Sequence, residues 1–163
     1  MSIKTDQKLD REVSAIVASS VAFGITPRPK KKLSYREFLS DKMLLIGAIR
    51  TGIPYSLFSL IKEIAPFSEE DWAGILNMST KSLSRYKQAS RQFKPLQSEK
   101  IIEMAEVTKV GTEVFGDLEK FRLWLDTPSY ALGNTRPLDL LKDSYGKELV
   151  IRELTHIDHG IFV

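Results

Sequence analysis

Hydrophobic positions along this chain recur with the spacing of amphipathic helices. Leu9, Val13, Ile16 and Val17 begin the first stripe, and similar stripes follow through the middle and the end of the chain. Spacings of three and four residues place such side chains on one helical face. No segment shows the convincing apolar and polar alternation that half-buried strands have. The pattern therefore predicts an all-α fold.

Capping residues indicate where these helices begin and end. Five apolar stripes are preceded by a residue that can act as an N-cap, because its side chain can accept a hydrogen bond from a free N–H group of the first turn. These residues are Ser34, Ser68, Ser98, Asp117 and Thr135. Gly116 and Gly160 follow stripes, at positions where glycine commonly ends a helix. The helix that begins at Ser34 is predicted to continue to the turn at 51–54, with Met43 and Ile46 facing inward.

The segment 72–86 matches the helix-turn-helix pattern. The apolar positions that hold the two helices together are Trp72, Leu76, Met78, Leu83 and Tyr86. Ala73 is small where the second helix must approach, and Asn77 falls at the turn. Asparagine is one of the few non-glycine residues that accept the left-handed conformation such turns often need. We predict that Ser79 caps the second helix.

The outward face of this second helix has the side chains of a DNA-binding surface. The predicted DNA-contacting residues are Ser79, Lys81, Ser82, Ser84, Arg85 and Lys87. Serine reaches phosphates and bases at short range, arginine can bind guanine with two hydrogen bonds, and lysine neutralises phosphates. Between positions 79 and 98 there are five basic residues and no acidic one. The alternative is a solvated helical face that binds no DNA.

Composition limits the size and the location of the protein. With 163 residues and 42% hydrophobic content, the chain can bury one substantial core or two small ones. It contains no cysteine, no apolar run near the length of a membrane span and no signal-peptide pattern at its start. These features predict a compact soluble protein in the cytoplasm, without membrane contact.

Charge divides the chain into a basic part and a mildly acidic part. Residues 1–116 carry 18 basic and 13 acidic side chains, whereas residues 117–163 carry six and eight. We predict an N-terminal extension and linker at 1–33, a helix-turn-helix domain at 34–116 and a small helical C-terminal domain at 117–163. The lysines at 30–32 either contact a nucleic-acid backbone or form a solvated connector.

No group of residues predicts catalysis. His156 and His159, with Asp158 between them, lack the further ligands that a zinc site needs. The sequence contains no glycine-rich phosphate loop and no nucleophile elbow. We therefore predict that the protein is not an enzyme and has no catalytic residues, no metal site and no cofactor.

The C-terminal third carries a recognisable motif. It consists of Phe115-Gly116, Trp124-Leu125, Pro128, Leu132-Gly133, the run PLDLL at 137–141, Gly146, Val150, Leu154 and His159-Gly160. This pattern resembles the antitoxins of RES-Xre toxin–antitoxin systems, over residues 34–163. Those antitoxins usually have asparagine after the matched proline and a second glycine after the matched Gly133. Here Ser129 and Asn134 stand at these positions.

The resemblance implies two functions. The C-terminal domain would block the active site of a RES-domain toxin that degrades NAD, and the antitoxin, alone or with its toxin, would bind operator DNA and repress its own operon. Residues 156–163 would approach the toxin cleft. The residues that would build the toxin-binding fold are Leu132, Pro137, Leu138, Leu154, Ile157 and Gly160. The implied toxin-binding residues are Leu132, Pro137, Leu138, His156, His159, Gly160, Ile161, Phe162 and Val163.

Two alternatives remain open at this point. The apolar end formed by Ile161, Phe162 and Val163 either plugs the toxin cleft or folds back on its own core. The whole chain is either an antitoxin or a stand-alone transcriptional regulator whose C-terminal domain only dimerises. A homodimer is expected for a repressor because palindromic operators present two half-sites.

Overall fold

A computed structural model describes residues 2–160 of the chain. These residues form ten α-helices, which we number in chain order, and one 3₁₀ helix at Tyr130–Leu132. The helices are α1 (Ile3–Ala22), α2 (Tyr35–Ser40), α3 (Lys42–Thr51), α4 (Tyr55–Ile64), α5 (Glu69–Leu76), α6 (Thr80–Gln88), α7 (Pro95–Phe115), α8 (Leu118–Asp126), α9 (Pro137–Leu140) and α10 (Ser144–Asp158). Only isolated β-bridges occur within the described part, which confirms the all-α prediction.

The helices belong to two compact units. The first comprises Met1–Ile64 and Lys81–Ile102, and the second comprises Ala65–Thr80 and Glu103–Val163. The domain boundaries expected from the sequence, after positions 33 and 116, stay a prediction.

In the first unit, α1 packs against α2, α3 and α4. Its predicted stripe is buried, with Leu9 and Val13 fully inaccessible to solvent. Near the end of α1 the hydroxyl groups of Ser20 and Thr26 share a buried hydrogen bond of 3.0 Å. Gly47 of α3 lies against this pair, because an added Cβ would meet the Ser20 Oγ at 2.3 Å. Close packing of α3 on α1 therefore requires glycine there.

The prediction of one helix from Ser34 to the turn at 51–54 is wrong. The chain breaks at Asp41, whose backbone is extended and whose carboxylate accepts the amides of Met43 and Leu44. An N-cap side chain inside the apolar stripe thus starts a new helix. In α3, Leu44 and Leu45 are buried, whereas Met43 is 55% and Ile46 38% exposed, so neither Met43 nor Ile46 faces inward as predicted.

Ser98 is not a helix cap, contrary to the prediction. Helix α7 begins at Pro95, so Ser98 lies within its first turn and is fully buried. Its hydroxyl donates to the Phe93 carbonyl at 3.2 Å and accepts the Ile53 amide at 2.9 Å. The Phe93 amide in turn donates to the Ile53 carbonyl at 2.8 Å. Ser98 therefore joins two loops of the first unit.

The second unit contains the C-terminal helices. Helix α9 contacts both α8 and α10, and the 3₁₀ helix also contacts α10. Asp117 caps α8 as predicted, because its carboxylate accepts the Glu119 amide at 2.7 Å. Gly116 and Gly160 both have positive φ, of 68° and 70°, as expected for residues that follow helix ends.

Thr135 does not cap α9, contrary to the prediction. The N-cap residue is Arg136, which makes no side-chain capping bond, and Pro137 occupies the first turn. Thr135 instead accepts the Ser129 amide through its carbonyl at 3.1 Å. Asn134 donates its amide to the Ser129 carbonyl at 2.8 Å and has a φ of 58°. Asparagine tolerates this left-handed conformation, which explains how it can replace the second glycine that the resembled antitoxins carry.

Candidate functional site

The helix-turn-helix segment is built from strong local signals. Ser68 and Asp71 form a capping box at the start of α5, with each backbone amide donating to the other side chain. Asn77 ends α5 in the left-handed conformation, at φ 52° and ψ 47°, which confirms the prediction made for this turn. The Met78 amide donates to the Ala73 carbonyl at 2.9 Å, and α6 begins at Thr80.

The predicted apolar positions of this segment are largely buried. Trp72, Leu76 and Leu83 are at most 2% exposed. Met78 and Tyr86 are half-buried. The Tyr86 ring stacks on Phe93 within the first unit, with centroids 4.8 Å apart. These contacts fix the inner side of α6 and leave its other side to solvent.

The outer side of α6 presents the predicted DNA-contacting residues. Ser79, Lys81, Ser84, Arg85 and Lys87 are exposed, whereas Ser82 is half-buried. Lys81, Ser84 and Arg85 are three and four residues apart and therefore share one helical face. We call Lys81, Ser84, Arg85 and Lys87 the basic face of α6. Its accessibility and positive charge suit contact with a phosphate backbone.

Most residues to which the resemblance assigns the toxin-binding fold lie inside the second unit. Pro137 and Leu138 are buried, as is Leu154, and Leu132 and Ile157 are half-buried. Their side chains hold α9 and α10 in place and expose little surface. Their expected contribution to partner binding is therefore the fold itself, and their contact with a toxin stays a prediction.

Helix α10 has an exposed face of which the sequence analysis identified only His156 and His159. Tyr145 is 83% and Leu149 36% exposed, and both lie away from the buried stripe of Val150 and Leu154. Spacings of four, three, four and three residues extend this face to the C-terminal end of the helix. We call Tyr145, Leu149, Arg152, His156 and His159 the outer face of α10. The regular spacing of these residues was visible in the sequence, but the inward stripe dominates the hydrophobic pattern.

The two imidazoles differ in their surroundings. His159 is exposed at the end of α10, and His156 is half-buried. The His156 Nδ1 lies 3.6 Å from the Glu153 carboxylate. Among residues 2–160 no three histidine or acidic side chains are grouped so that they could hold a metal ion. No helix in the same range is both long and apolar enough to cross a bilayer.

Ile161, Phe162 and Val163, the predicted plug of the toxin cleft, lie outside the described residues. Gly160, the last described residue, is exposed and donates its amide to the Ile157 carbonyl at 3.0 Å. The plug therefore stays a prediction.

Known proteins resemble this chain along most of its length. The antitoxin Xre of Yersinia enterocolitica is 26% identical over 145 residues, which cover 86% of this chain and 98% of the relative. The Prs ADP-ribosylating antitoxin of a Sphingobium species is 27% identical over 146 residues, covering 84% and 90%. A chain in the crystal structure of the M. tuberculosis MbcT–MbcA toxin–antitoxin complex shares the fold. Its TM-score is 0.55 at 24% identity, and the match covers 65% of this chain and 94% of that chain.

Two protein families account for the two parts of the chain. Residues 44–106 match the antitoxin Xre-like helix-turn-helix domain, and residues 111–160 match the antitoxin Xre/MbcA/ParS C-terminal toxin-binding domain. A helix-turn-helix domain followed by a toxin-binding domain defines an antitoxin of a toxin–antitoxin system. Within that class, the chain belongs to the antitoxins of the Xre/MbcA/ParS type.

Proposed function

We propose that this antitoxin neutralises a RES-domain toxin that degrades NAD, by covering the toxin's active site with its C-terminal domain. The observation that carries the proposal is the outer face of α10, which lies within the matched toxin-binding domain and presents aromatic, aliphatic and cationic side chains. Relatives named as antitoxins, and a chain of a toxin–antitoxin complex with the same fold, support it.

The second part of the proposal concerns DNA. The basic face of α6 binds operator DNA upstream of the antitoxin's own operon and represses transcription, with the antitoxin acting as a homodimer. The match to an Xre-like helix-turn-helix domain supports the assignment of DNA binding.

Neutralisation of the toxin requires no chemistry from the antitoxin, which acts in the cytoplasm by occupying space in the toxin's cleft.

Tyr145 is the side chain of the outer face with the most surface to bury on toxin binding. Tyrosine and arginine are enriched among the interface residues that contribute most to affinity, and both occur on this face, at Tyr145 and Arg152. Tyrosine has few rotatable bonds, so fixing its side chain at an interface costs little conformational entropy. Most of the free energy gained by burying its ring is therefore retained. We therefore expect Tyr145 to be central to the toxin interface.

The Tyr145→Ala variant should bind the proposed RES toxin about tenfold or more weakly, a loss of ~1.4 kcal/mol. Isothermal titration with catalytically inactive toxin measures this change. Leu123→Ala is the matched control, since Leu123 is 68% exposed in the same unit but lies on α8. Equal losses in both variants, or none in Tyr145→Ala, would contradict the proposed interface.

A separate prediction concerns the C-terminal end. Deleting Ile161, Phe162 and Val163 should relieve the inhibition of NAD degradation by the toxin while preserving the DNA affinity of the antitoxin.

The Arg85→Gln variant should bind a promoter fragment about tenfold more weakly, because one guanidinium contact to a base or phosphate is lost. Lys81→Gln should reduce the slope of log affinity against log salt by roughly 0.9 if it removes one phosphate contact. Fluorescence anisotropy across a salt series measures both effects.

Lys120→Gln is the charge-matched control for the DNA experiment, since Lys120 is exposed on α8 of the second unit. Binding that is insensitive to salt, or equally weakened by Lys120→Gln, would argue against the basic face of α6. The alternative of a stand-alone regulator predicts instead that no toxin binds stoichiometrically and that Arg85→Ala removes the whole phenotype.

A further inference from the structure

Arg122 of α8 joins three segments of the second unit. Its Nε donates to the Asp126 carboxylate at 2.7 Å, and its Nη2 donates to the same carboxylate at 3.2 Å. Its Nη1 donates to the Pro66 carbonyl at 3.0 Å and also to the Asp71 carboxylate. The Arg122 side chain is 33% exposed and that of Asp71 is 16% exposed. Ionic hydrogen bonds in such partly buried positions are stronger than those between fully exposed groups.

Asp71 is also part of the capping box that starts α5. The oxygen that accepts the Arg122 guanidinium, Oδ2, accepts the Ser68 amide at 2.8 Å as well. Burial alone would raise the pKa of Asp71, but hydrogen bonds from Arg122 and Ser68 outweigh it and hold this pKa below its ordinary value. The carboxylate is thus kept charged at the point where α5 begins, and Arg122 is attached to the cap itself.

Helix α5, the first helix of the helix-turn-helix, belongs to the same unit as the matched toxin-binding domain. Residues 65–80, which include all of α5, cluster with residues 103–163, whereas residues 81–88 of α6 belong to the first unit. Only the turn that contains Asn77 separates α5 from α6 along the chain. Helix α5 is therefore the part of the helix-turn-helix segment that Arg122 can hold from within its own unit.

We propose that Arg122 is a positioning residue for DNA recognition, which fixes the N-terminal end of α5 from within the toxin-binding domain. The proposal rests on the operator binding proposed above. It assigns the toxin-binding domain a contribution to DNA affinity without any contact between that domain and DNA. Residues 44–106, although they match the helix-turn-helix family, are then not sufficient for full DNA affinity.

The test uses the full-length antitoxin with Arg122→Gln. We expect promoter affinity to fall about tenfold and the amides of residues 72–76 to exchange hydrogen faster, because the start of α5 is no longer held. Affinity for the RES toxin should change less than twofold. Arg122→Lys keeps the charge but loses the two-bond contact with Asp126, so its promoter affinity should lie between those of wild type and Arg122→Gln.

A matched control separates positioning from a general loss of stability. Lys147→Gln removes the ion pair between Lys147 and Glu106, which spans 3.2 Å in the same unit at similar exposure and does not involve α5. This variant should retain wild-type promoter affinity. Equal weakening by Lys147→Gln and Arg122→Gln would overturn the proposal, as would unchanged DNA affinity in Arg122→Gln.

The experiment also distinguishes this proposal from the proposed DNA function. If the wild-type antitoxin does not bind the promoter, alone or with toxin, both ideas fail together. If the wild type binds and Arg122→Gln binds equally well, only the role of Arg122 is refuted. Faster exchange in α5 with unchanged DNA affinity would show that Arg122 stabilises the helix without serving recognition.

Discussion

Replacing Gly146 by alanine is expected to destabilise the antitoxin by about 3 kcal/mol or more, because the new methyl group has no space. An added Cβ would lie 1.7 Å from the Leu140 carbonyl oxygen, which belongs to the backbone of α9. Only residues 141–143 separate α9 from α10, so α10 has little freedom to move away from this carbonyl. Chemical denaturation followed by circular dichroism measures the loss, and toxin binding should decline with it.

Gly74→Ala is the control for this experiment. Gly74 lies within helix α5 of the same unit, and an added Cβ there meets no atom within 4 Å. Alanine is favoured over glycine inside helices by roughly 0.5–1 kcal/mol, so Gly74→Ala should be neutral or stabilising. A Gly146→Ala protein as stable as Gly74→Ala would mean that α9 and α10 do not approach each other as closely as described.

Gly111→Ala is expected to cost about 2 to 3 kcal/mol, through a clash with a side chain and not with the backbone. The added Cβ would lie 2.0 Å from the Phe121 Cζ, and Phe121 is fully buried. The Phe121 ring packs against both Phe115 and Trp124, with centroid distances of 5.8 and 6.4 Å, so it cannot turn aside freely. Denaturant unfolding followed by circular dichroism quantifies the change.

A double-mutant cycle identifies the cause of that loss. Phe121→Leu removes the ring that the new methyl group meets, so Gly111→Ala should cost at least about 1 kcal/mol less in the Phe121→Leu background. Strictly additive losses would place the origin of the Gly111→Ala effect elsewhere in α7.

Much of the fold was predictable because its signals are local. The capping box at Ser68, the left-handed turn at Asn77 and the proline in the first turn of α9 each follow from a few neighbouring residues. The break at Asp41 was missed although its signal is also local, because a continuous apolar stripe outweighed a single N-cap residue.

Other features depend on contacts between residues far apart in the sequence. In the sequence Ser98 resembles a helix cap, but in the structure its hydroxyl accepts a hydrogen bond from the distant Ile53 amide. Gly111 and Gly146 are ordinary helical glycines until the helices that pack against them are known. Arginine is usually a surface residue, and the partner of Arg122, Asp71, lies 51 positions earlier in the chain, so the sequence alone does not indicate their contact.

The candidate surfaces differ in the same way. The basic face of α6 was predictable because charge of one sign accumulates over a short segment. Of the outer face of α10, only His156 and His159 were predicted. The rest of it became apparent only when the opposite stripe proved to be buried and Tyr145 exposed. The predicted toxin residues Pro137 and Leu138 reflect the conformation of the domain more than its surface.

The link between Arg122 and Asp71 limits how such antitoxins can be recombined. A chimera joined at position 110 would pair Arg122 with whatever residue the foreign helix-turn-helix supplies at the position of Asp71. Exchange of specificity between homologues should therefore succeed more often when the segment 65–80 is transferred together with the C-terminal part. If Arg122 positions α5 as proposed, hybrid proteins without this pairing should still bind their toxin but bind promoter DNA weakly.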